Sequence, residues 1–139
     1  MDIVFVVGRV LLVQMFIMGG LLFHLGQRRE ATEAAKNMGV PLATIGVPAT
    51  GLANIVGGLM VVLGVWGDVG ALVLAVNAFL FANFMHPFWK LDADVQEDEI
   101  QHFLKDMTIC AGLIVLFWVF NQVGAAAPLT LTDPFFGPF

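Results

Sequence analysis

The residues able to do chemistry in this 139-residue chain fall into two sets, both set in otherwise apolar stretches. The first is Arg9, Gln14, Asn54 and Asn77. At ~1.5 Å of helical rise per residue, all four lie roughly 9–16 Å from the same end of the apolar runs that carry them. An arginine among apolar neighbours is costly in lipid and turns toward a bundle interior and a polar partner. Two readings follow. One is a structural hydrogen-bond cluster. The other is a pocket for a polar head group, such as a quinone, whose carbonyl oxygens accept from Arg and Asn donors. Quinone is the only cofactor these residues suggest.

The second set lies toward the opposite end: His24, His86 and His102, with Asn83 one turn before His86. Asp106 follows His102 by four residues on one helix face, Cys110 comes a further turn on, and Lys105 sits between. Imidazoles beside a carboxylate can bind a metal or relay protons. A metal held here would take His24, His86, His102 and Asp106. No single helix carries His-x-x-x-His or Glu-x-x-His spacing, so a metal is not the favoured reading. Lys105 and Asp106 read more simply as an interfacial ion pair. His86-Pro87-Phe88-Trp89 reads as part of an aromatic belt.

The elements that position these residues follow from composition. The chain is 59% hydrophobic and 12% charged, with a mean hydropathy of +0.89. Soluble domains carry about a quarter charged residues, so the outer surface is expected to face lipid. A formal charge of −5 argues against nucleic-acid binding. The single cysteine, Cys110, excludes an internal disulfide and a Cys-x-x-Cys site. Met1-Asp2-Ile3 lacks the positive start of a cleaved signal peptide, so the first apolar run is expected to persist as a span.

Crossing the hydrocarbon takes about 20 apolar residues in a helix. Four spans qualify, over 3–25, 41–65, 69–88 and 96–121. Lipid forces backbone groups to bond within the segment, so the fold class is all-α: an integral-membrane four-helix bundle in one transmembrane domain, residues 1–139. Between spans one and two, Gln27–Met38 reads as a short interfacial helix. Arg29/Glu33 and Glu33/Lys36 pairs lie on one face, Gly39 suits the cap, and Pro41 follows. Trp66-Gly67-Asp68 makes spans two and three a tight hairpin. The third connection is acidic, and Asp94-Val95-Gln96-Glu97 has capping-box spacing. The tail, 124–139, holds Pro128, Pro134 and Pro138 and cannot stay helical. Phe135, Phe136 and Phe139 are expected to rest at the membrane interface or dock on a partner.

Arg28, Arg29, Lys36, Lys90 and Lys105 mark the side of connections one and three as cytoplasmic, with both termini on the other side. In span two, Ala49, Ala53 and Gly57 recur every four residues beside Thr50, Asn54 and Gly58. Small residues let helices approach closely. The row serves packing first, with a homodimer face as the second reading.

The motifs in order resemble those of the DoxX family of small bacterial membrane proteins. The resemblance is carried by Gly8-Arg9-Val10-Leu11-Leu12, Phe16-Ile17-Met18-Gly19-Gly20 and Met38-Gly39-Val40-Pro41-Leu42. It continues through Gly51-Leu52-Ala53-Asn54-Ile55-Val56-Gly57-Gly58, His86-Pro87-Phe88-Trp89, His102-Phe103-Leu104-Lys105-Asp106 and Gly112. The family commonly has Glu where Asn54 stands, Lys near Phe23 or His24, and Asn where Asp106 stands. The missing Glu removes an ionisable partner for Arg9 and leaves Asn54 as a hydrogen-bond partner.

The resemblance implies a bacterial cytoplasmic-membrane bundle associated with respiratory or sulfur oxidation, since relatives resemble subunits of quinol oxidases and thiosulfate:quinone oxidoreductases. The expected role is a non-catalytic subunit or anchor in an oxidoreductase complex, near a quinone and beside other membrane subunits and lipid. The alternatives are a small quinone-interacting oxidoreductase in its own right, built on Arg9, Asn54 and Asn77, and a small oligomeric transporter.

Overall fold

Helix dominates because lipid offers no other partner for the backbone. The computed structural model describes residues 2–138, and all regular structure among them is helical. Helix α1 runs Asp2–Gly19, α2 Arg28–Asn37, α3 Ala43–Leu63, α4 Gly67–Met85 and α5 Ala93–Val123. Four of them, α2 excepted, are long and apolar enough to cross a membrane. Their outward faces carry Leu11, Met18, Leu52, Val56, Phe79, Leu104, Val115 and Trp118, all exposed. A surface this apolar suits a multi-pass membrane protein in contact with lipid.

Helix α2 lies between α1 and α3, as the sequence predicts. Arg29 and Glu33 pair at 3.4 Å. Gly39, at φ +77°, ends the helix, with Gly39 N–H donating to Lys36 O and Val40 N–H to Ala35 O. This paired pattern needs a left-handed residue, which glycine adopts without strain. Ala35 then packs on Ala43 and Val47 of α3.

Three boundaries differ from the sequence reading. Span one is α-helical only to Gly19 and continues as π-helix over Gly20–Gly26. The α3–α4 turn is Gly64-Val65-Trp66, so Gly67 and Asp68 already belong to α4. Gly64, at φ +63°, closes α3 in the manner of Gly39. The capping box foreseen at Asp94 does not form. Helix α5 begins two residues earlier than that box requires, with Asp92 at the N-cap and no side-chain cap bond.

Helices α1, α3, α4 and α5 pack in a ring in that order, and α1 and α5 touch least. The core joins Val13 and Phe16 of α1, Val61 of α3, Leu74 and Ala78 of α4, and Cys110, Leu113 and Phe120 of α5. Small residues set the spacing. A side chain at Gly58 would collide with Ile17 of α1, and one at Gly70 with the Gly57 carbonyl. Gly57 therefore faces α4 in its own chain. Of the row Ala49, Ala53 and Gly57, Ala49 is exposed, Ala53 half-buried and Gly57 buried.

The tail does not stand off as a docking arm. It folds back across the end of the bundle that carries the α3–α4 turn. Asp68 is fully buried and accepts the N–H groups of Phe135 (3.0 Å) and Phe136 (2.9 Å). Asn121 donates to the carbonyls of Phe136 and Gly137. Leu131 and Thr132 N–H groups donate to Gly64 O. Phe136 packs on Phe117 and Phe135 on Trp66. Phe135 remains 62% exposed. Phe139 lies outside the described residues.

Candidate functional site

The first polar set divides. Arg9 sits on α1 in contact with α5, its guanidinium carbon 5.4 Å from the Phe5 ring centre and 5.8 Å from that of Phe120. Cation–π contact of this kind strengthens away from water, and Arg9 is 2% exposed. Its Nη2 donates to Leu129 O at 2.6 Å and its Nη1 to Thr130 Oγ1 at 3.2 Å. Arg9 thus ties the tail to the bundle. Gln14 is exposed on the outer surface of α1. Asn54 of α3 and Asn77 of α4 meet in the interior, Asn77 Nδ2 donating to Asn54 Oδ1 at 2.9 Å.

The asparagine pair borders a cavity of about 440 Å³ where α1 and α5 part. Phe16, Ala78, Phe81 and Ile109 make apolar wall, and His24, Thr50, Asn54, Asn77, Lys105 and Asp106 supply polar groups. Met15, Met18 and Phe23 also line it and are exposed on the bundle exterior, so the cavity opens sideways toward lipid. A second cavity, of about 410 Å³, lies toward α2 and shares Phe23, His24, Thr50, Asn77 and Phe81 with the first. Mostly apolar walls with a few placed polar groups are the usual make-up of a small-molecule site.

His24 reaches this wall from the π-helical segment. Its Nδ1 lies 3.1 Å from Gly19 O, and a side chain at Gly51 of α3 would collide with its Cβ. Glycine at 51 therefore makes room for the imidazole between the helices.

His86 and His102 do converge, as the alternating helix directions predict. Their rings stack at 5.1 Å. His86 stands between two carboxylates: Nδ1 is 2.7 Å from Glu99 Oε2, and Nε2 is 3.6 Å from Asp106 Oδ2. Lys105 Nζ lies 3.4 Å from Asp106 Oδ1, the ion pair read from the sequence. Asp106 is 4% exposed, and its Oδ2 accepts no hydrogen bond. His24 stays apart from the two stacked rings in its own bond to Gly19, and Cys110 donates to Ala75 O at 3.3 Å. Among the described residues, no group of three or more His, Cys, Asp or Glu is arranged to hold a metal ion.

Sequence reasoning placed the histidines and Asp106 but not Glu99, which it read with the acidic connection, nor Asp68, Asn121 and Thr130. Glu99 carried a signal in the i, i+3 spacing to His102. Asp68 and Asn121 bond to backbone groups distant in sequence and Thr130 to the distant Arg9 side chain, and no spacing rule exists for such pairs.

Neither the curated proteins nor the solved structures include one that matches this chain. The DoxX family model matches residues 4–87, well over half of the chain, from the start of α1 past the end of α4. This stretch contains Arg9, His24, Asn54, Asn77 and His86, and the chain belongs to the DoxX family.

Proposed function

We propose that the protein is a membrane subunit or anchor of a respiratory or redox complex, and that its lateral cavity holds the head group of a quinone. The observation that carries this reading is the cavity itself. Apolar walls from α1, α4 and α5 surround the Asn54–Asn77 pair, with an opening on the lipid side. Quinones travel in the hydrocarbon, and a lateral mouth admits them without crossing water. Asn77 Nδ2 serves Asn54, which leaves that amide a second N–H for a quinone carbonyl. The first polar set thus narrows to Asn54 and Asn77 for the ligand, with Arg9 holding the tail. Association with a redox complex rests on analogy with the family.

In this reading the protein lies in the bacterial cytoplasmic membrane, by analogy with the family, and the basic residues near the span ends support an orientation with α2 and the α4–α5 connection toward the cytoplasm and both termini opposite. Other subunits, or a second copy, meet the outer faces; Ala49 and Ala53 are open or half-open on α3. A photoreactive short-chain quinone tests the cavity. Label is expected on peptides from α1, α3 or α5 bordering it, reduced severalfold in Asn54→Leu. Label confined to the outer face of the bundle refutes the site.

A further inference from the structure

The residues common to both cavities mark where the two meet, and three of them are polar: His24, Thr50 and Asn77. Asn77 has an N–H to offer a ligand there. His24 borders the same junction with a ring nitrogen that the fold does not use.

The backbone sets that ring. In a π-helix each turn closes over five residues, which brings residue 24 back over residue 19. His24 Nδ1 lies 3.1 Å from Gly19 O. A carbonyl oxygen only accepts, so Nδ1 carries the proton. The neutral imidazole then keeps its lone pair on Nε2. Glycine at 51 lets the side chain sit close against α3. Nε2 has no hydrogen-bond partner among the described residues. The side chain is only half-buried, and Nε2 is not sealed in the interior as Asp106 Oδ2 is.

The junction therefore offers one acceptor, His24 Nε2, and one donor, the second N–H of Asn77. A hydroxyl oxygen serves both at once, because it donates its proton and accepts on a lone pair. A carbonyl oxygen serves only the donor. Reduction of a quinone turns its carbonyl oxygens into hydroxyls, so the two redox forms of one molecule differ in the group that His24 reads.

We infer that the cavity binds the quinol more tightly than the quinone, the quinol hydroxyl donating to His24 Nε2 while it accepts from Asn77. This rests on the reading of the cavity as a quinone head-group site and adds the redox state that it prefers. The quinone binds as well, through Asn77, with one hydrogen bond fewer. Tighter binding of the reduced form makes the bound couple easier to reduce, by about 30 mV for each tenfold in affinity of a two-electron couple.

The test uses one molecule in two states, decylubiquinone and decylubiquinol. Each is titrated without oxygen into the full chain in lipid nanodiscs, with empty nanodiscs subtracted for partitioning. The wild-type protein is expected to bind the quinol about threefold to tenfold more tightly, the worth of one added neutral hydrogen bond. His24→Asn keeps an N–H for Gly19 O, has no atom at the place of Nε2, and brings the ratio to near one. His24→Leu removes both groups, gives the same result, and covers a folding failure of the asparagine variant. Equal wild-type binding of the two forms, or tighter binding of the quinone, overturns the inference and leaves the head-group cavity standing. Binding of neither overturns both. A quinol preference unchanged in the variants overturns the role of His24.

Discussion

Arg9 Nη2 donates to the carbonyl of Leu129 at 2.6 Å, joining residues 120 positions apart. The bond turns an arginine inside a span from a ligand-binding candidate into an anchor for the tail. It also explains how an intramembrane cation is tolerated. The guanidinium lies beside the rings of Phe5 and Phe120 and spends its terminal nitrogens on Leu129 and Thr130.

Removing that anchor should free the tail. Arg9→Ala is expected to cost about 2–3 kcal/mol, the loss of hydrogen bonds from a charged donor. Thr130→Val should cost about 1 kcal/mol. Thermal unfolding in detergent measures both, and limited proteolysis should cut the tail sooner in Arg9→Ala.

Asp68 holds the other end of the same strap. Asp68→Ala strands two backbone N–H groups, with an expected loss of about 2–4 kcal/mol. Asp68→Asn keeps one accepting oxygen and should lose less. Because Phe135 packs on Trp66 at 5.8 Å between ring centres, the Trp66 fluorescence should also shift in Asp68→Ala. An unshifted spectrum in a protein that still folds would speak against the strap.

Helix spacing gives a contrasting pair. At Gly58 a Cβ would run into Ile17, whereas nothing lies within 4 Å of one at Gly46. Gly58→Val should destabilise by about 1–3 kcal/mol through overpacking. Gly46→Ala should be neutral or mildly stabilising, since alanine favours helix. Midpoints of detergent unfolding compare the two.

His86→Phe keeps an aromatic ring against His102 and removes the bond to Glu99. A loss of about 1.5–3 kcal/mol is expected for a bond to a charged group. Hydrogen exchange should quicken in the amides of 88–99, the connection and first two turns of α5 that Glu99 pins to the end of α4. Unchanged exchange there would show that the connection holds itself.

The spans and α2 were legible because lipid imposes a length and a polarity on each residue run. Gly39 was legible because its turn needs one residue type. Depth along a helix was legible too, but not direction around it. Arg9 and Gln14 fall in one depth band, about 7.5 Å apart along the axis, yet five residues at about 100° each set them roughly 140° apart around it. One therefore faces the interior and the other lipid. The π-helical turn at Gly20–Gly26 and the tail's return to Asp68 depend on close contacts between distant segments, which no local pattern encodes. The His86–His102 stack was foreseeable from alternating span directions, whereas the two-carboxylate frame around His86 needed the start of α5 to be placed.

The proposed role is a subunit that carries a quinone beside its partners. Native mass spectrometry of the protein ejected directly from its own membrane tests it most directly. The chain is expected in fixed stoichiometry with other membrane proteins, plus a bound adduct of quinone mass that is lost in Asn54→Leu. A lone chain without partner or adduct would contradict it.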